Sequence, residues 1–352
     1  MDEPGLKITV MMPALNESAT VGEVIGGIPD NMGVRCETEV IVVDDGSTDE
    51  TGEIARRLGA EVIRHPRRMG LGKAFADGME AAMRGGADII VNIDADGQFD
   101  PADIPKLIRP ILRDQADFVT ATRFAREDLV PRMPWIKKWG NKQMCRLVNF
   151  ATGTTSLTDA SCGFRAFNAE AALQLHLSDA FTHAHETIIE LANKNVRIEE
   201  VPLKVRGVRK EGDSRLAGNL PAYAVKTGGR ILRTMCRTRP LFFFGTLGGI
   251  ITGLGVLQGL IVLVNWMFTH RTYPFRSLLL GASLFITVGF LTLVVALVAD
   301  MLNRIIDISE RLLYYAKLDH HQNARRRTRG QPPTRRKPQA APEHEPAEER
   351  RG

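Results

Sequence analysis

The chain has 352 residues, 44% of them hydrophobic, and a formal net charge of +5. That length holds one large domain plus extra elements, or two modest domains. Much of the positive excess sits in Arg325-Arg326-Arg327 and Arg335-Arg336-Lys337, so the globular part carries no basic cluster and no nucleic-acid partner is expected.

From its start the chain reads as soluble and globular up to about Arg239. It passes from a short polar lead into a strand-like run without a secretory leader, so the large domain is expected in the cytoplasm. Short β-rich runs fall at residues 8–12, 39–43, 61–63, 88–93 and 117–121. Helical patterns separate them. Ser18 is placed to cap a helix carrying Val21, Val24, Ile25 and Ile28, and Ser47 or Thr48 a second that Gly59 ends. A third runs from about Lys73 to Gly85, and Asp100-Pro101 opens a fourth with proline in its first turn. Strands alternating with helices predict an α/β domain with a mostly parallel sheet, whose ligands bind beyond the carboxyl ends of the strands. The cysteines Cys36, Cys145, Cys162 and Cys236 show no zinc or redox spacing and are read as reduced thiols.

Residues 124–150 break the alternation with a mixture of Arg, Lys, Trp, Met and Leu. This segment reads equally as a surface against a lipid interface or as an amphipathic helix packed on the sheet. Two long apolar stretches follow, at about 241–268 and 277–301, each reaching the roughly 20 residues a membrane-spanning helix needs. Arg230, Arg233, Arg237 and Arg239 precede the first stretch and the arginine-rich tail follows the second. By the positive-inside rule the catalytic domain and both termini then face the cytoplasm, and the chain is an integral membrane protein. The division expected is 1–216 for the α/β domain, 217–240 for a juxtamembrane amphipathic segment, 241–303 for the two spans, and 304–352 for a basic, largely disordered tail.

The chemistry-bearing residues sit where strands are expected to end. Pro13-Ala14-Leu15-Asn16-Glu17 follows the first run, Asp44-Asp45-Gly46-Ser47-Thr48-Asp49 the second, and Asp94-Ala95-Asp96-Gly97-Gln98 the fourth. Each alone is an ordinary turn or cap; together they converge on one crevice. Asp94 and Asp96, two residues apart, point the same way if the strand continues, and two such carboxylates suit a hard cation such as Mg2+ or Mn2+.

This ordered set resembles the GT-A fold of family 2 glycosyltransferases, specifically the dolichol-phosphate mannose or glucose synthase branch, over nearly all of residues 6–216. The resemblance implies that Pro13, Ala14, Glu17, Asp44 and Asp45 hold the nucleoside, and that Asp94, Asp96 and Gln98 bind the metal. Gly70-Leu71-Gly72-Lys73 is similar to the family's glycine-lysine turn, with Arg68-Met69 standing where an asparagine is usual; it adds Lys73 to the donor site. Ala121-Thr122-Arg123-Phe124 and residues 159–167 resemble the segments around the acceptor, which brings in Arg123, Asp159 and Arg165. Arg209, Ser214 and Arg215 match the family's loop over the donor diphosphate, and Arg123 and Arg132 are assigned to the lipid phosphate. His183 and His185 lack a second ligand cluster and read as structural, as do Glu186 and Glu190.

The function this implies is metal-dependent, inverting transfer of a hexose from a GDP- or UDP-sugar to dolichyl or polyprenyl phosphate at the cytoplasmic membrane face. Asp96, Arg123, Asp159 and Arg165 carry the chemistry. A phosphate acceptor is already ionised and needs positioning rather than a base. A sugar-hydroxyl acceptor would need one, with Asp159 the candidate, and that membrane glycan synthase is the alternative reading. A non-catalytic membrane scaffold is the third. Homo-oligomerisation through the apolar hairpin is compatible with the sequence.

Overall fold

The structure, a computed structural model, describes residues 5–130, 135–152, 157–175, 185–205, 240–270, 273 and 276–328. In chain order its elements are β1 (Leu6–Ala14), α1 (Val21–Gly26), β2 (Cys36–Asp44), α2 (Thr51–Arg57), β3 (Glu61–Arg64), α3 (Leu71–Arg84) and β4 (Ile89–Asn92). There follow α4 (Ile104–Leu112), β5 (Phe118–Thr122), α5 (Trp135–Thr152), β6 (Arg165–Asn168), α6 (Ala169–Gln174), α7 (His185–Asn193), β7 (Ile198–Pro202), α8 (Pro240–Thr269) and α9 (Arg276–Thr328). They fall into two compact units, one of Met1–Asn141, Thr158–Arg206 and Ala316–Gly352, the other of Lys142–Leu157 and Gly207–Tyr315.

The first unit is built on a seven-stranded sheet in the order β3-β2-β1-β4-β6-β5-β7. β1 pairs parallel with β2 and β4, β2 with β3, and β5 with β7. Ile8, Val10, Met11 and Met12 of β1 are all fully buried, as expected of a central strand covered on both faces. Each such side chain contributes roughly 1.5–3 kcal/mol by leaving water. α3 lies close on β1 and β2 because Gly78 faces them: a Cβ there would sit 3.2 Å from Val43 Cγ2 and 3.3 Å from Met11 Sδ.

The mostly parallel sheet and the first five strands stand where the sequence placed them. β6 is different: it runs antiparallel between β4 and β5, with Ile90 opposite Phe167 and Val119 opposite Ala166. The caps also differ. α1 begins after Thr20 and α2 after Glu50, neither with a side-chain cap. The hydroxyls expected to cap α2 serve elsewhere: Ser47 Oγ accepts from Asn16 N at 3.0 Å, and Thr48 Oγ1 donates to Asn16 Oδ1 at 3.3 Å. Asp100 does cap, accepting from Ala102 N at 3.0 Å ahead of Pro101.

In the second unit α8 and α9 are long and apolar enough to cross a membrane. Their backbones come close at glycines, where a Cβ on Gly248 would stand 3.0 Å from Gly289 O and one on Gly255 2.9 Å from Ala282 O. The tail expected to be disordered from residue 304 is helical to Thr328. No glycine or proline interrupts the chain between Gly289 and Gly330, so the polar residues continue the helix. The juxtamembrane segment expected at 217–240 lies outside the described residues, apart from Pro240.

Candidate active site

Parallel strands deliver their last residues to one edge, and the loops after β1, β2 and β4 meet there. β1 ends in the buried Pro13 and Ala14, and Ala14 O accepts from Asp45 N at 2.9 Å. Asn16, in the left-handed region at φ 53°, bonds Ser47 and Thr48 and ties the first loop to the second. Glu17 is half-buried, and its amide donates to Thr51 Oγ1 at 2.9 Å. Burial opposes ionisation of Asp49, but hydrogen bonds from Thr51 and Ser18 outweigh it and hold the carboxyl below its usual range. Asp44 is fully buried; its Oδ1 accepts from Ser47 N at 2.8 Å and its Oδ2 lies 3.6 Å from Arg64 Nε.

Asp45 faces inward. Its oxygens accept from Met69 N at 2.7 Å and Gly70 N at 2.8 Å, and Oδ1 lies 2.8 Å from His65 Nδ1. Lys73, on the first turn of α3, bonds Asp77 Oδ1 at 2.9 Å. Asp45 therefore shapes the crevice through the loop it holds.

The next pair is set by a turn, because β4 ends at Asn92 and strand alternation stops there. Residues 94–98 bend around Gly97 at φ 68°, fixed by Asp96 Oδ1 accepting from Gln98 N at 3.0 Å and by Thr20 Oγ1 donating to Ala95 O at 2.7 Å. Asp96 is buried, while Asp94 and Gln98 are half-buried. Asp94 lies flat against Gly163, where a Cβ would come within 2.7 Å of its Oδ2. Asn92 Nδ2 donates to Gly163 O at 2.6 Å and fixes that contact. Among the described residues no cluster of three or more His, Cys, Asp or Glu side chains forms a self-sufficient metal cage. A pair of carboxylates is what Mg2+ or Mn2+ uses when the remaining ligands are substrate phosphates and water, so Asp94 and Asp96 fit such an ion.

Beside this turn lies a second charge system. Asp159, fully buried, takes Arg123 in a fork: Nε to Oδ2 at 2.6 Å and Nη2 to Oδ1 at 3.0 Å. Ser161 adds its amide and hydroxyl to Oδ1 at 3.2 and 3.0 Å, and Arg123 Nη2 also reaches Ser161 Oγ at 2.9 Å. Burial alone would lower the Arg123 pKa, but the Asp159 fork outweighs it and raises it above the ordinary guanidinium range. Among the described residues Nη1 makes no hydrogen bond, and the side chain is 18% exposed. Arg165, on β6, is fully buried over the Phe118 ring at 5.8 Å; burial lowers it to about 10 against the opposing pull of Asp159 and Asp94. Asp159 thus orients Arg123. Buried Cys162 is pushed up to about 12, mainly by desolvation, and is an inert thiol.

Three contributors are absent from the sequence reading. Glu200 of β7 accepts from Thr158 N and Asp159 N, each at 2.9 Å, and holds the backbone under Asp159; burial raises its pKa. Asn92 and His65 are the others. The signal for Glu200 was the pair Glu199-Glu200 inside a strand-length run, which places one carboxylate inward. Arg132, His183, Arg209, Ser214 and Arg215 lie outside the described residues, as do the side chains of His185 and Glu186. Glu190 bonds Lys194 at 2.9 Å one turn along α7, a structural use.

The profile of glycosyl transferase family 2 matches residues 9–175. A protein of Methanocaldococcus jannaschii without an assigned activity is 34% identical over 201 residues, 56% of this chain and 81% of its own. The UDP-N-acetylglucosamine–dolichyl-phosphate N-acetylglucosaminyltransferase of Methanococcus voltae is 33% identical over 218 residues, 56% of this chain and 84% of its own. The dolichol-phosphate mannosyltransferase of Pyrococcus furiosus is 28% identical over 275 residues, 76% of this chain and 74% of its own. With 33% identity across 84% of a named transferase and a profile that ends one element beyond β6, this chain belongs to glycosyl transferase family 2 and is a glycosyltransferase with a GT-A-like α/β domain.

Proposed function

We propose that this enzyme transfers a hexose from a nucleotide sugar to a polyprenyl or dolichyl phosphate at the cytoplasmic face of a membrane, with inversion at the anomeric carbon. The observation that carries the acceptor is the Arg123–Asp159 fork. Asp159 is fully buried with its oxygens engaged by Arg123 and Ser161, a poor base for a hydroxyl but a firm hold on a guanidinium. Arg123 Nη1 is a donor suited to a phosphate oxygen. The names of the relatives in Methanococcus voltae and Pyrococcus furiosus, both of which act on dolichol-linked phosphate, favour the same acceptor.

In the reaction an acceptor phosphate oxygen attacks the anomeric carbon as the bond to the donor diphosphate breaks and the nucleoside diphosphate leaves. Asp94 and Asp96, with Gln98 beside them, would hold Mg2+ or Mn2+, which supplies charge neutralisation on the leaving diphosphate. Pro13, Ala14, Glu17 and Asp44 line the nucleoside end, and Asp45 acts through the loop that leads to Lys73. Arg209, Ser214 and Arg215 would close over the diphosphate, Arg123 and Arg132 receive the lipid phosphate, and buried Arg165 adds positive potential beneath them. α8 and α9 would keep the enzyme where its lipid is, with the flanking arginines on the cytoplasmic side.

The test uses full-length protein in detergent with polyprenyl phosphate and labelled UDP- and GDP-sugars, with and without Mn2+ or Mg2+. Label in the lipid phase that requires metal and disappears in Asp96→Ala supports the reading and names the donor. Metal-independent labelling, or labelling retained in Asp96→Ala, contradicts it.

A further inference from the structure

We propose that His65 is a positioning residue of the donor half of the site: it holds Asp45 against the head of α3 and so fixes residues 67–70 and Lys73 around the nucleoside diphosphate. The inference rests on the donor reading above and adds a residue that reading did not contain.

His65 follows β3 directly and is 6% exposed. Its Nδ1 lies 2.8 Å from Asp45 Oδ1 and its Nε2 2.9 Å from Asp77 Oδ2. The ring therefore bridges the two carboxylates, one at each nitrogen. Lys73 Nζ completes the series at Asp77 Oδ1, 2.9 Å away and one helical turn back along α3. Lys73, Asp77, His65 and Asp45 therefore form one continuous series of polar contacts.

At the far end Asp45 accepts the amides of Met69 and Gly70. These amides precede and open a 14-residue helix, where backbone donors lack intrahelical partners and a negative charge is favoured. The loop has little freedom elsewhere: Gly70 stands at φ 102°, and Gly46 stands at φ 75° with room for no Cβ, which would meet the Arg67 carbonyl carbon at 2.6 Å. Remove the imidazole and two carboxylates face a void without the ring that bridges them. Asp45 then loses a hydrogen-bond partner and with it part of its grip on the loop. None of these contacts forms only during transfer, so the loss falls on donor binding and not on the chemical step.

The test compares wild type, His65→Gln, Asp77→Asn and the double variant as full-length protein. UDP and GDP binding with Mn2+ is measured by calorimetry, together with donor KM, kcat and thermal unfolding. Loss of one charged hydrogen bond is worth about tenfold in affinity. His65→Gln is expected to raise the Kd of whichever diphosphate wild type binds, and the donor KM, about tenfold, with kcat changed less than threefold. Asp77→Asn is expected to move the same quantities by less, and the double variant by less than the product of the two. Unchanged diphosphate binding in His65→Gln alongside normal wild-type binding overturns the proposal while leaving the donor reading intact. So does a fully multiplicative double variant, or a kcat that falls with KM unchanged. If His65→Gln does not fold, unchanged affinity in Asp77→Asn overturns it. If wild type binds neither diphosphate, the donor reading falls and takes this proposal with it.

Discussion

Arg123 and Asp159 make the proposed acceptor half of the site one unit, and either residue tests it. Asp159→Asn keeps the shape but leaves a buried guanidinium facing a neutral amide. Breaking a buried pair costs roughly 3–5 kcal/mol, so a lowered melting temperature is expected together with a fall of at least tenfold in kcat/KM for the acceptor. Donor affinity, read by nucleotide binding, is expected to stay within threefold; a tenfold loss there would mean Asp159 serves the donor. Gly163→Ala probes the other boundary. Its Cβ would come within 2.7 Å of Asp94 Oδ2, so the metal-side carboxylate must move, and the Mn2+ concentration for half-maximal activity is expected to rise. An unchanged metal dependence would show that Asp94 is not a ligand. Asp44, Asp94 and Asp96 were legible in the sequence because acidic residues directly after strand-like runs land on the ligand edge of a parallel sheet. Asn92, Glu200 and His65 were not, because their partners are distant in sequence. Asn92 meets Gly163 across 71 residues and Glu200 meets Thr158 across 42.

Elements behave similarly. The first five strands carry apolar runs of the right length and were visible. β6 buries an arginine, and β7 has glutamates at its centre, so neither shows the period of a strand. Both flank β5, so that end of the sheet was legible only in part. The end of α9 is the other surprise. In the first unit His321 Nε2 donates to Ala87 O at 3.0 Å, Arg325 Nη2 pairs with Asp88 Oδ1 at 2.5 Å, and Lys317 Nζ donates to Leu175 O at 3.0 Å. The first two contacts lie just before β4, at the end of the strand opposite Asp94. Burial holds His321 below its ordinary value of 6.5, opposed by its bond to Ala87, with the Arg325 charge acting in the same direction as burial. A base whose pKa is depressed by folding binds its proton more readily when released, so this contact is fully stabilising above pH 6.5 and weakens as pH falls below it. Hydrogen exchange of the 316–328 amides is expected to quicken between pH 7.5 and 5.5, after correction for intrinsic rates, and His321→Gln to flatten that dependence. Equal pH dependence in both proteins would remove His321 as its source.

At the scale of the whole molecule, the chain joins a nucleotide-sugar fold to two helices able to cross a bilayer. α8, with 30 residues, is about 45 Å long, which exceeds the roughly 30 Å hydrocarbon core. The proposed topology places both termini on one side: protease added outside sealed vesicles is expected to reach tags at both ends or at neither. Reaching only one would leave a single span. The central claim is that the acceptor is a lipid that is already anionic, held by Arg123, with no carboxylate acting as base. The most direct measurement offers the full-length enzyme polyprenyl phosphate and the matching polyprenol side by side, with the donor and metal that support transfer. Label on the phosphate alone, at a rate that does not fall as pH drops through the carboxylate range down to the limit of acceptor ionisation, is the expected result. Label on the polyprenol, or on a sugar hydroxyl with the phosphate left untouched, would contradict the claim and return Asp159 to the role of base.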